Sequence, residues 1–470
     1  MTYGKEGILG KDPKDILIKT AFFHDAKDAK IFINALRIAD LAWALTLKKA
    51  GVLKNDKELL KALIKLKDFQ IDPRYGDIYN SKNVALKKLT PYAKDLHISR
   101  PRREAINVAF YLKLKEEIFL LHKSLKKLAK TFLKVAKKHK KTIMPDFTYL
   151  QHAQVGTFGF YVLTFLIPLL RDFKRLKNLY ENLDYSIAGS GSVNGASIDI
   201  DRKYLAKLLD FSKVGIHARD NMWKSDIPIE AMFILNSIIA NIARLNEEFF
   251  IFATKEFDIL KLPPSLSRAS VIMPNKQNPY ALTYIRGISN ELLGKISSYI
   301  AYEKIISGNP DSRTFVYVDL VQSFCKLRDT LELFRIVLKK SKINKKVLKK
   351  RAKDSFLYAT LIAEYLVKKY NLTYEEAHNE VGRVIRYIKK NNIKPKDIKS
   401  KFFKYKIDKK ILKPKYALKN KKGIGSISDI DNIIKKSAKK IKKFKIKRAN
   451  FSFLEKELKE YTDDKLKFTI

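Results

Sequence analysis

The chain has 470 residues, enough for one large core or several. A hydrophobic content of 46% with only 17 Gly and 14 Pro excludes a disordered chain and suits long helices with few tight turns. The formal net charge of +47 brings nucleic-acid or membrane-surface binding into consideration. The competing reading is a lysine coat on every solvent-facing helix stripe, and the sequence favours the coat. Only Lys401-Phe402-Phe403-Lys404-Tyr405-Lys406 interleaves lysines with aromatics as a single-strand binder would.

Met1-Thr2-Tyr3-Gly4-Lys5-Glu6 carries no apolar signal region. The longest apolar run, Phe158 to Leu170, falls short of the ~20 residues a membrane span needs. One cysteine, Cys325, excludes a disulfide scaffold and fits a reducing compartment. A soluble, cytoplasmic protein is expected.

Residues 1–105 read as short helices and loops, with turn signals at Asp72-Pro73 and Tyr75-Gly76. Residues 106–345 carry long helical periodicity. Ile118, Leu121, Leu125, Leu128, Phe132 and Val135 step by three and four. A second stripe places Leu235, Ile238, Ile239, Ile242, Leu245, Phe249 and Phe252 on one face. Convincing alternating strands are absent, which predicts a mainly α protein on a long central bundle. Residues 346–445 form a further helical domain, and 446–470 read as a charged, partly mobile tail.

Four segments could carry chemistry. Arg100, Arg102 and Arg103 fall within four positions of the stretch Leu96–Glu104, an anion clamp or a solvated basic turn. In Thr148-Tyr149-Leu150-Gln151-His152, tyrosine has a pKa of about 10 and exchanges protons weakly near neutrality, although it can donate a hydrogen bond. His152 reads as an ordinary polar residue on a neighbouring helical face. Gly189-Ser190-Gly191 is glycine-rich, but with no strand before it a phosphate cradle is a weak reading. The seven histidines show no paired metal spacing. In Ser270-Val271-Ile272-Met273-Pro274-Asn275-Lys276-Gln277-Asn278-Pro279, each residue before a proline favours an extended conformation, so a loop should precede a helix starting near Tyr280. Lys276 and Asn278 can both point at one carboxylate, and Ser270 needs oriented amides and cations to act as a base.

The Ser270 segment resembles the signature G-S-S-x-M-P-x-K-x-N-P of the fumarase/aspartase superfamily, with Ala269 for the glycine and Val271 for the second serine. Thr148–Gly159 is similar to its T-H-L-Q-x-A-Q-x-x-T-x-G, with Tyr149 in place of the catalytic-site histidine. Leu96–Glu104, Gly189–Arg202, Tyr358–Lys369 and Glu376–Gly382 resemble, in order, patterns of argininosuccinate lyases, and all but the first disfavour adenylosuccinate lyase. The family's Y-N-R-D-x-Q-x-x-K substrate stretch is not recognisable after Gly308-Asn309-Pro310. The resemblance implies a mainly α, three-domain protomer in a homotetramer with each site built from three subunits, a small anionic substrate and no cofactor or metal. It implies Ser270 as the base, Tyr149 as a proton donor, Lys276 and Asn278 on the carboxylate, Thr148 and Gln151 orienting substrate, and Arg103 and Arg100 binding it. The expected reaction is β-elimination of fumarate from argininosuccinate or another N-substituted aspartate, within arginine biosynthesis. The alternative is an impaired paralogue serving as a scaffold or anion-binding protein.

Overall fold

The computed structural model describes residues 10–470 except 225, 310–311, 422–424 and 426, so Met1–Glu6 lies outside the described residues. Three helices of ten residues or more, α1 (Ile33–Lys49), α2 (Asp56–Lys65) and α3 (Ile78–Lys87), precede five long ones among the described residues. These are α4 (Arg102–His139), α5 (Phe158–Leu183), α6 (Asp226–Phe252), α7 (Tyr280–Glu303) and α8 (Tyr317–Lys340). The five pack side by side as a bundle, with α4 against α5 and α8, and α6 against α5, α7 and α8. A mainly α fold on a long bundle therefore holds.

The apolar stripes explain the packing. Ile118, Leu121, Leu125, Leu128 and Phe132 are all fully buried, as is the α6 stripe from Leu235 to Phe252, while Val135 lies at the rim. Helix α6 is long and apolar enough to cross a membrane by length and composition. More than half of its apolar window is buried inside the protein, as a core helix requires. Gly159 opens α5 where it crosses α4, and a Cβ there would meet the Ala136 carbonyl oxygen at 2.5 Å. Only glycine lets the two backbones approach so closely.

The cores do not follow the expected boundaries. Helix α1 packs on α4, and the N-terminal helices share one core with the bundle. A second core gathers α9 (Lys345–Lys353), α10 (Ala359–Tyr370), α11 (Tyr374–Lys390) and the chain to Leu418, with Val155 from the bundle side. Helix α12 (Ile427–Lys443) leaves that unit and lies on α4 and α5. The last residues pack on the bundle. Phe451, Leu454, Leu458, Tyr461 and Phe468 are buried in the main core. Arg448 pairs with Glu116 at 2.7 Å, and Tyr204 donates to Glu457 at 2.7 Å. The three- and four-residue spacing of Phe451, Leu454 and Leu458 is an apolar stripe that the surrounding charge hides.

The expected absence of strands also needs correction. Strands β1 (Ile143–Thr148) and β2 (Gln151–Thr157) form an antiparallel hairpin between α4 and α5. A second, shorter pair, β3 (Arg268–Ala269) with β4 (Gln277–Asn278), precedes α7. The first hairpin turns on two residues, Tyr149 (φ 52°) and Leu150 (φ 56°), both left-handed. Such turns usually carry Asn-Gly, because a Cβ in this region costs about 1–2 kcal/mol per residue. Leu150→Gly is expected to stabilise the hairpin by about 0.5–1 kcal/mol after the entropy lost from the unfolded chain is counted. Greater hydrogen-exchange protection of the β1–β2 amides would show it; unchanged protection would mean the turn carries no strain.

Candidate functional site

The Ser270 loop is held by its own backbone. Arg268 pairs with Asn278 and Ala269 with Gln277. Within the loop the Ser270 Oγ accepts the Met273 N–H at 3.1 Å, and the Lys276 N–H donates to the Met273 carbonyl at 3.0 Å. The Gln277 amide donates to Ser267 Oγ at 2.8 Å. A loop before a helix at Tyr280 is thus found, and it is a closed hairpin that fixes Ser270, Lys276 and Asn278 to one frame. It points outward: Val271 is 99% and Ile272 83% exposed.

The β1–β2 hairpin does the same for the second motif. Thr148 and Gln151 are paired neighbours beside the turn and both are exposed, and Tyr149 is 98% exposed. His152 sits on strand β2, not on a helical face. Its Nδ1 meets Ser355 Oγ at 2.5 Å while the Ser355 hydroxyl donates to the Arg351 carbonyl at 2.7 Å. With its own proton committed to Arg351, Ser355 accepts from His152, so this pair docks the hairpin onto the chain beyond α9. Burial and the charge of Arg351 hold the His152 pKa below its ordinary value. Among the described residues, no hydrogen bond or ion pair joins Thr148, Tyr149 or Gln151 to Ser270, Lys276 or Asn278.

The arginine segment separates into different roles. Arg100 is 3% exposed and lies in a buried triad. Asp40 receives Arg100 on one oxygen and Lys82, at 2.5 Å, on the other, and Arg100 also donates to the Ala39 carbonyl at 3.3 Å. Burial would raise the Asp40 carboxyl, but Lys82 and Arg100 hold it below its ordinary range. A guanidinium engaged in this way anchors α1 to the start of α4, and the expected substrate contact of Arg100 does not describe it. Arg103 instead reaches outward. It donates to the carbonyls of Gly308 (3.3 Å) and Asn309 (2.9 Å) and stacks on Trp223. Arg219 joins from the same side through Ser307 Oγ at 2.8 Å.

Glu104 was not singled out by the sequence, yet it organises the glycine-rich loop. Its two oxygens accept the N–H groups of Gly189 and Gly191, each at 2.7 Å. The amides that a bound phosphate would use are filled by this carboxylate, which explains the loop without a nucleotide. Burial pushes the Glu104 carboxyl up to about 7, against the pull of the Gly189 amide, Arg100, the Gly191 amide and Arg202.

A pocket of about 430 Å³ opens where residues 24–28 meet α7 and α8. Lys295 pairs with Asp319 at 2.6 Å, and Tyr299 donates to the other Asp319 oxygen at 2.8 Å. The Gln322 amide donates to Asp28 at 3.1 Å. Phe315 stacks on Tyr302 with ring centres 5.4 Å apart, and His24 meets its edge. Of these, Phe315, Asp319 and Gln322 follow Gly308-Asn309, after which the family's substrate stretch is not recognisable; Pro310 and Asp311 lie outside the described residues.

Two consequences are measurable. Asp40→Ala leaves Lys82 and Arg100 buried without their anion, and should cost about 3–5 kcal/mol in urea unfolding; a loss below about 1 kcal/mol would mean the triad is solvated. Because the Glu104 pKa is raised on folding, its contribution is complete below about 4.5, its unfolded value, and is lost as pH rises through about 7. Relative to Glu104→Gln, the wild-type protein should therefore lose unfolding free energy across that window, and parallel pH profiles would contradict the assignment.

Comparison with known proteins agrees with this architecture. A "Lyase" family model matches residues 33–294, and an "Argininosuccinate lyase C-terminal" model matches residues 356–419. The chain is 32% identical to the argininosuccinate lyase of Campylobacter jejuni, covering 76% of this chain and 80% of that one. It is 31% identical to that of a Thermoanaerobacter species, with coverage of 84% and 92%. It is 30% identical to that of Archaeoglobus fulgidus, with coverage of 80% and 77%. Among solved structures, EDDS lyase in complex with formate superposes with a TM-score of 0.81 at 19% identity, over 97% of this chain and 95% of that one. A fumarate lyase from Mesorhizobium superposes at 0.70 and 16% identity, over 91% and 100%. The family matches and the relatives at 30–32% identity show that this chain belongs to the argininosuccinate-lyase-like branch of the fumarase/aspartase superfamily of lyases.

Proposed function

We propose that the protein cleaves argininosuccinate, or a closely related N-substituted aspartate, to fumarate and an amine, as a cytoplasmic homotetramer. The observation that carries this is the Ser270 hairpin, which holds a serine, a lysine and an asparagine on one frame and presents them outward. Exposed apolar tips such as Val271 and Ile272 mark surfaces that other protein covers. The outward Thr148–Gln151 turn supports the same reading, because each hairpin needs a partner surface to complete a site. In the assembled site the Ser270 hydroxyl first gives up its own proton to water, and the resulting alkoxide takes the proton from the carbon beside a carboxylate. Lys276 and Asn278 stabilise the aci-carboxylate that forms. The C–N bond then breaks, the nitrogen leaves with the electron pair, and it gains a proton from Tyr149 or from water. Thr148 and Gln151 orient the substrate, and Arg103 holds the loop at 308–309 beside it. The pocket at Asp28 and Gln322 offers a carboxylate and an amide to a cationic leaving group.

Purified protein incubated with argininosuccinate should release fumarate, read by its absorbance. Ser270→Ala should lower kcat by about 10²–10⁴, and Lys276→Gln by about 10²–10³. No fumarate from the wild type, or an undiminished rate in Ser270→Ala, would sink this reading. The second reading, an impaired paralogue, is favoured by Tyr149 in the histidine position. A large gain of rate in Tyr149→His would support it, and a fall would support a tyrosine tuned to the present chemistry.

A further inference from the structure

The lyase chemistry leaves most of the +47 charge without a use. From Lys435 to Arg448 nine of fourteen residues are basic and none is acidic. The structure lays this segment against α5, across a groove of about 970 Å³. Arg171 and Lys174 stand on one wall, and Lys436, Lys440 and Lys443 on the other, all five exposed. Three of the four acids on the two helices have assigned partners. Asp172 is buried against Arg175 and Ser237, Glu181 pairs with Lys177, and Asp431 pairs with Lys140 at 2.7 Å. Nearby, burial and the charges of Lys130 and Lys445 depress the pKa of Lys126, so the positive field extends to α4. Facing like charges oppose folding unless an anion lies between them.

We propose that the groove between α5 and α12 binds the phosphate backbone of single-stranded nucleic acid. Its shape selects this occupant. The cations from Lys436 to Lys443 run along seven residues, about 10 Å of helix, and two walls flank them. A concave slot admits one extended strand, whereas a duplex or a planar lipid surface would meet only its rims. The floor is apolar, and its aromatic ring, Phe444, is already stacked on Phe173 with centres 5.5 Å apart. No ring in the groove is left to stack on bases, so contact is with the backbone and is independent of sequence.

The test is the salt dependence of binding to a labelled oligo-dT of about 20 nucleotides. Five phosphate contacts give a slope of log affinity against log salt of about −3.5, at about −0.7 per contact on a single strand. The triple variant Lys436→Gln/Lys440→Gln/Lys443→Gln should flatten the slope by about 2 and weaken binding at least about tenfold. It should keep its native mass and fumarate release, and unfold no earlier than the wild type. A control triple on exposed lysines of another face, Lys389→Gln/Lys390→Gln/Lys396→Gln, should change neither slope nor affinity. Equal effects of the two triples would overturn the proposal in favour of diffuse charge. Tighter binding of inorganic polyphosphate than of the oligonucleotide would overturn the nucleic-acid assignment. A change of native mass in the groove variant would make the groove a contact between subunits and overturn it as well.

Discussion

Apart from the Ser270 hairpin, which its own backbone holds, what positions chemistry in this chain hangs on one helix. Helix α4 runs 38 residues and must bury a continuous apolar seam, which fixes its rotation in the bundle. Once that rotation is fixed, its first turn points Arg103 at the 308–309 loop and Glu104 at the glycine-rich loop. Its far end meets Gly159, whose missing side chain lets α5 cross closely and so sets the stem of the β1–β2 hairpin. The triad of Asp40, Lys82 and Arg100 ties α1 and α3 to the residues just ahead of the same helix. A polar network of this kind contributes little net stability against an apolar substitute, but breaking one member is costly. Its value here is in orientation.

The sequence made the bundle legible because long apolar stripes with a period near 3.6 have few other solutions. The Ser270 loop was legible because two proline-preceded positions and the Tyr280 helix start constrain it locally. The β1–β2 hairpin was not, since Tyr149 and Leu150 lack any of the usual turn chemistry and their left-handed backbone closes the pairing of the two strands. His152 was misplaced for the same reason, as a helical face was assumed where a strand runs. Arg100 and Arg103 look alike in sequence. Whether a guanidinium meets Asp40 or a loop carbonyl depends on α1 and on residue 308, distant along the chain. The role of Glu104 was hidden because its partners are backbone amides, which carry no residue signature. The packed C-terminus was masked by its lysines, whose heads stay in water while Phe451, Leu454 and Leu458 turn inward.

The charge distribution separates two uses of lysine and arginine. Where a carboxylate is available the cations clamp elements together, as Lys115 does with Asp184 and Arg448 with Glu116. Where α5 and α12 face each other, three of their four acids have assigned partners and the cations line the groove.

The proposed reading has the Ser270 hairpin of one subunit and the Arg103 segment of another act on one substrate. Mixed tetramers of Ser270→Ala and Arg103→Ala protomers measure this directly, with fumarate release as the readout. If sites are shared between subunits, some sites in the hybrid contain both intact residues, and activity should rise well above that of either parent assembly. If each site belongs to one chain, every site lacks one residue, and a hybrid no more active than its parents would contradict the account.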